Sequence, residues 1–178
     1  MPNDEGQFAV KQLLDGLREK CGDAEFGYRM QGLLAHVLAR LGAVIIEVNA
    51  QGHPDIKARM ADQIFLIQVK SAQHASTAST FQLSSTDLAG IMPGSQSKGY
   101  LAFLDCADPV SWILIEAPVA KQFLSRCMPI AALRAAQARN LSDDCTAEFL
   151  EMVLSVRKRL SMLTFPLLVR YVLAGTPI

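Results

Sequence analysis

Residues 42–71 read GAVIIEVNAQGHPDIKARMADQIFLIQVKS, and three apolar runs divided by turn residues predict three short strands in succession there. The first, 43–49, is apolar apart from Glu47. Asn49, Gln51 and Gly52 supply a turn, and Pro54 fixes the approach to the second strand. Ala61 and Asp62 separate the second strand from the third, whose residues 64–69 are almost continuously apolar, as a strand covered on both faces requires. Polar residues then stand where a core would take apolar ones. Asp55 opens the second strand, while Gln68 and Lys70 lie two apart at the end of the third and so point to one face. An acid, an amide carbonyl and a lysine are therefore expected to converge at one end of a sheet.

Upstream, Phe8, Val10, Leu13, Leu14 and Leu17 fall at helical spacing over 7–21, and Gly22 predicts a stop. Asp23 suits the N-cap of a second helix, whose stripe runs Phe26, Met30, Leu33, Leu34, Val37, Leu38 and Leu41 before Gly42. A stripe of that width must rest on the sheet that follows. Downstream, 71–85 is rich in Ser, Thr, Ala and Gln without period and predicts a loop beside the polar triplet. Ser85, Thr86 and Asp87 are expected to cap a short helix that Pro93-Gly94 ends. Strands over 100–106 and 111–116 follow as a hairpin, with Tyr100, Phe103 and Trp112 as core. From Pro118 the chain is expected to be helical, near 118–126, 129–139 and 142–163. Asp143 and Asp144 then fall in the first turn of the last helix and Arg157-Lys158-Arg159 in its final turns.

The result is an α/β chain in the order α-β-β-β-α-β-β, with an N-terminal helix over 1–22, a core over 23–117 and a helical C-terminal extension over 118–178. Over 27–116, about half the chain, the order of elements together with Gly52-His53-Pro54-Asp55-Ile56 and Gln68-Val69-Lys70-Ser71 resembles the PD-(D/E)xK nuclease superfamily. The variant is the one with Gln in the third place, as in Mrr-like restriction endonucleases, and Holliday-junction resolvases are similar. The resemblance implies a restriction-endonuclease-like mixed sheet flanked by helices, and hydrolysis of phosphodiesters, in DNA, with magnesium or manganese. It assigns metal ligation to Asp55, the Gln68 side-chain oxygen and the Val69 backbone carbonyl. Lys70 would orient water or stabilise charge on the phosphate.

The family's helix acid falls at Gln31, in Gly27-Tyr28-Arg29-Met30-Gln31. Asp55 is thereby left as the one charged ligand, unless Glu47 replaces the missing carboxylate; Glu47 equally suits a solvent-facing strand position. His53 stands beside Asp55, either near the site or as a turn residue. Lys57, Arg59, Ser71 and Lys98 are candidates for phosphate contact. The alternative from another functional class is a non-catalytic interaction subunit of the same fold whose metal site has decayed.

Composition bounds these readings. At 178 residues and 51% hydrophobic, the chain suits one well-buried domain. Seventeen basic against 17 acidic residues argue against a protein that grips nucleic acid through its whole surface, though not against a local basic cleft. Cys21, Cys106, Cys127 and Cys145 lack the close pairs of a zinc site. No glycine-rich phosphate loop is present. The acidic start has no apolar run behind it, and 160–169 is half the length of a spanning helix, so a cytoplasmic, non-membrane protein is expected. The apolar C-terminal helix and tail suggest a homodimer or a protein partner through those helices.

Overall fold

In the computed structural model the described residues are 4–49, 53–71, 80–107, 109–124 and 127–159. The turn at 50–52, the loop at 72–79 and the apolar run at 160–169 fall outside them. The side chains of Ser71, Arg157, Lys158 and Arg159 are likewise outside the description.

The long helix α1 spans Asp4–Arg40 and breaks at Gly22, whose φ of 77° and ψ of 168° are non-helical. A side chain in that left-handed φ region would be strained, so glycine sets the corner between the two arms. Arg18 closes the corner, bonding Asp23 at 2.6 Å and lying 5.5 Å from the centroid of the Phe26 ring. Strands β1 (Val44–Val48), β2 (Ile56–Met60) and β3 (Gln63–Ser71) follow as an antiparallel meander. The chain next forms the short strand β4 (Thr80–Gln82) and helix α2 (Ser85–Ile91), then returns as β5 (Ser97–Asp105), parallel to β3. Strand β6 (Ser111–Glu116) pairs antiparallel with β5. The five strands make one mixed sheet in the order β1-β2-β3-β5-β6.

The C-terminal third is not wholly helical as expected. After α3 (Ala117–Ala120) and a 3-10 turn at Lys121–Phe123, strand β7 (Cys127–Pro129) pairs antiparallel with β4 in a separate two-stranded sheet. Helices α4 (Ile130–Ala136) and α5 (Arg139–Arg159) come next. Helix α5 starts at Arg139, so Asp143 and Asp144 lie beyond its first turn, a correction to the expected placement.

Strand alternation divides the core in two. Phe65, Ile67 and Val69 of β3, with Ala102, Leu104, Trp112 and Leu114, join the apolar faces of both arms of α1 and of α5. Leu101, Phe103, Ile113 and Ile115 face the other way, with Leu88 and Ile91 of α2, Ala117 and Ala120 of α3, and Leu133 of α4. Tyr100, Phe103 and Trp112 are core residues, as predicted. Among the described residues no helix is long and apolar enough to cross a membrane.

The two sheet edges differ. On β6, the outward N–H groups of Trp112 and Leu114 donate to the hydroxyls of Thr146 (2.9 Å) and Ser142 (3.0 Å), which donate back to the same residues' carbonyls at 3.3 and 3.5 Å. These two side chains, i and i+4 on α5, take the place of a sixth strand. On β1 the register shifts between Ile45 and Glu47, and Val44, Ile46 and Val48 are 54%, 49% and 45% exposed.

Two outcomes follow. Ser142→Ala removes the acceptor of the buried Leu114 N–H and should cost about 1–3 kcal/mol in urea unfolding, with Thr146→Val similar. Gly99→Ala should cost more, because its Cβ would stand 1.6 Å from the Ile91 carbonyl oxygen, where only a backbone shift makes room.

Candidate active site at the end of the central strands

Ile56 pairs with Ile67 across β2 and β3, and one step further the same register sets Asp55 opposite Gln68. Asp55 and Gln68 are both buried, at 4% and 3% exposure. Past Asp55, β2 no longer pairs β3, and the Asp55 carboxylate fills the gap. Its Oδ2 accepts the Val69 N–H at 2.7 Å and the Gln68 Nε2–H at 2.5 Å. Among the described residues no donor reaches Oδ1. A residue's N–H and C=O point to the same side of an extended strand, so the Val69 carbonyl faces the same gap. The other end of the Gln68 amide, Oε1, lies 2.8 Å from His53 Nδ1. Asn49 secures the turn, donating its N–H to Asp55 O at 2.7 Å and its side-chain amide to Pro54 O at 3.1 Å.

Lys70 stands on the same face as Gln68, and its Nζ binds Asp87 Oδ1 at 2.7 Å. The sequence pattern had cast Asp87 only as a helix-capping residue. The N-cap is Ser84, one residue earlier than expected, and Asp87 is its reciprocal partner: Asp87 N–H donates to Ser84 Oγ at 3.1 Å, while Ser84 N–H and Oγ donate to Asp87 Oδ2 at 3.2 and 2.7 Å. The Ser-x-x-Asp spacing is the signal that finds this capping box. It does not reveal that the second carboxylate oxygen takes Lys70. Helix α2 sits close enough that a Cβ on Gly90 would stand 2.5 Å from His53 Cβ, so the His53-Pro54 segment, joined by a cis peptide bond, is pressed beneath it.

The two carboxyls titrate in opposite senses. Burial pushes Asp55 above the usual carboxylate range, outweighing the Val69 N–H, the Lys70 charge and the Gln68 bond. Burial would also raise Asp87, but the bonds from Lys70 and Ser84 together hold it below the ordinary value.

The remaining candidates lie further out. Gln31 is buried on the second arm of α1, and Glu47 is exposed on β1 opposite Lys57; neither enters the hydrogen bonds joining Asp55, Gln68 and His53. Lys57 is half-buried and Arg59 exposed, and by register and alternation both share the sheet face of Lys70. Lys98 is exposed and pairs with Phe65, whereas Lys70 pairs with Phe103, which sets Lys98 about 16 Å down the sheet from Lys70 at the strand rise. It therefore stands apart from the cluster. An open hollow of about 580 Å³, lined by residues including Val44, Arg59, Asp62 and Gln96, is also at that far end.

Among the described residues no three His, Cys, Asp or Glu side chains gather as a metal site. The donors that do converge are of a different kind: one buried carboxylate, whose Oδ1 takes no donor among the described residues, a backbone carbonyl and an amide. Hard oxygen donors of this sort suit magnesium or manganese completed by water and substrate, and a buried carboxylate whose ionisation is disfavoured gains from a cation beside it. No protein-family model, curated protein or solved structure matches the chain.

The opposed shifts set a pH dependence in metal-free buffer. Asp87, lowered in the folded state, contributes stability above the ordinary carboxylate pKa of about 3.9 that is lost as pH falls through its lower folded value. Asp87→Asn should therefore cost about 1–3 kcal/mol at neutral pH and progressively less in acid. Asp55, raised, favours the fold in acid and loses that contribution as pH rises through its folded pKa. Asp55→Asn should match or exceed the native stability at pH 7. Urea unfolding at several pH values with chelator present checks both.

Proposed function

We propose that this chain is a metal-dependent nuclease with a restriction-endonuclease-like core, cutting phosphodiester bonds in DNA at the Asp55, Gln68 and Lys70 end of the sheet. The observation that carries the reading is the gathering of the Asp55 carboxylate, the Val69 carbonyl and Lys70 at one end of β3. The element order α-β-β-β-α-β-β around the mixed sheet supports it.

A bound divalent cation supplies activation of water and neutralisation of charge on the phosphate. The chain's own residues divide the remaining work. The Asp55 carboxylate and the Val69 carbonyl would hold the cation, and the Val69 N–H, bonded to Asp55 Oδ2, fixes that carboxylate in place. Lys70, tethered by Asp87 yet 30% exposed, presents one ammonium hydrogen outward to a phosphate oxygen or the attacking water. Lys57, on the same face and opposite Leu66, is the basic strand residue nearer to the site for contact with a nucleic-acid backbone, whereas Arg59, opposite Ile64, stands at the far end.

A second reading, a non-catalytic subunit of the same fold, is favoured by one observation. The polar side chains of the site satisfy one another, Gln68 with Asp55 and His53, Lys70 with Asp87. Cleavage separates the two readings. Supercoiled plasmid, branched and single-stranded DNA are incubated with the protein over a magnesium and manganese titration. The expected outcome is metal-dependent cutting that falls on the order of a hundredfold or more in Lys70→Gln, whose amide still donates to Asp87 and preserves the fold. Folded protein that cuts none of these substrates with either metal points to the non-catalytic subunit.

A further inference from the structure

Two cations on the sheet face covered by α2 and α4 are held in the same way. Asp105, the last residue of β5, is buried; its Oδ1 accepts the Ala107 N–H at 2.9 Å, and its Oδ2 takes Arg134 Nη2 of α4 at 2.6 Å. Asp87 is buried as well; its Oδ2 accepts the Ser84 N–H, and its Oδ1 takes Lys70. In each pair a backbone N–H fixes one oxygen of a buried carboxylate while the other oxygen aims a cation that stays open to solvent, 30% for Lys70 and 38% for Arg134. Register sets the two pairs side by side. Lys70 pairs with Phe103 across the parallel strands β3 and β5, and Asp105 lies two residues past Phe103, on the same face by alternation. Two residues along and one strand across put the Cα atoms of Lys70 and Asp105 about 8 Å apart, little more than two nucleotide rises of about 3.4 Å along a duplex. Lys57, opposite Leu66 on β2, stands on the other flank of Lys70, so Lys57, Lys70 and Arg134 ascend the face obliquely from β2 to β5.

We propose that Arg134 is a second phosphate-contacting cation of this site. With Lys70 at the phosphate to be cut, the Arg134 guanidinium grips a neighbouring phosphate of the same strand, and Asp105 holds it in position. Arginine suits the place, because its planar fork gives one edge to a carboxylate and keeps further N–H donors for a phosphate. Each cation has a carboxylate of its own, so the cluster is close to neutral without DNA, in keeping with the balance of 17 basic and 17 acidic residues. Contacts of this kind position a strand more than they attract one. The inference rests on the nuclease reading above and extends its site from the end of β3 to the end of β5.

The test uses the full chain and a fluorescently labelled DNA duplex, with binding followed by anisotropy in calcium over a range of salt and urea unfolding run in parallel. The double variant Asp105→Asn with Arg134→Gln leaves the net charge unchanged and keeps a hydrogen-bonding pair at the seat of α4. The expected result is a plot of log affinity against log salt that is less steep by about 0.9 in the double variant, the contribution of one phosphate contact. Asp105→Asn alone, which leaves Arg134 without its acid, should bind the duplex more tightly than the native chain. A pair that serves only to seat α4 leaves the salt slope of the folded double variant unchanged, and that result overturns the role of Arg134 while the cleavage assay still decides the nuclease reading. Where the double variant does not fold, Asp105→Asn decides alone, and equal or weaker binding overturns the inference. Folded native protein that binds no DNA in calcium or magnesium overturns this inference and the nuclease reading together.

Discussion

The parallel pairing of β3 with β5 is the constraint on which the rest of the structure depends. Parallel neighbours cannot be joined by a tight hairpin, so the chain must leave the sheet and return over one face. Helix α2 makes that return in seven residues. Its C-terminal carbonyl at Ile91 occupies the place a Cβ of Gly99 would fill, and Gly90 lies against His53. These two contacts fix the height of α2 on the sheet. With the height fixed, the capping box fixes the direction of the Asp87 carboxylate, and that direction is toward Lys70.

The site divides one positive charge unequally between two carboxyls. Lys70 bonds Asp87 directly, and that carboxyl stays ionised; Asp55 feels Lys70 only through its charge, and burial keeps its ionisation unfavourable. Opposed shifts of neighbouring titratable groups are a feature of functional sites and of structural ion pairs alike. The amide of Gln68 joins Asp55 to His53 without adding charge of its own.

Patterns with a local cause were legible in the sequence. The two arms of α1 and the break at Gly22 follow from a 3.6-residue stripe and a glycine. The meander that sets Asp55 opposite Gln68 follows from apolar runs and turn residues. What escaped depends on distant parts of the chain. The strand Thr80–Gln82 pairs with Cys127–Pro129, and three residues of a Ser-rich stretch are too few to carry a periodic signal. Lys70 and Asp87 are 17 positions apart, and nothing in either neighbourhood announces the other. Lys98 is a candidate for phosphate contact by residue type alone, and only the parallel register shows that it lies at the far end of the sheet from Lys70. Asp143 and Asp144 suggested a helix start, but the start is set by Ala138, whose N–H binds the Leu114 carbonyl at 2.7 Å on β6.

The closure of β6 by hydroxyls from α5 gives the sheet a polarity that matters for assembly. Strand addition needs an edge on each participant, and among the described residues this sheet leaves only the β1 edge without a partner. Two chains that met through their open edges would consume both, leaving a ten-stranded sheet capped at either end. Head-to-tail growth into a fibre requires a donor edge and an acceptor edge on every copy. A chain with one edge sealed is a chain terminator for its own polymerisation by that route.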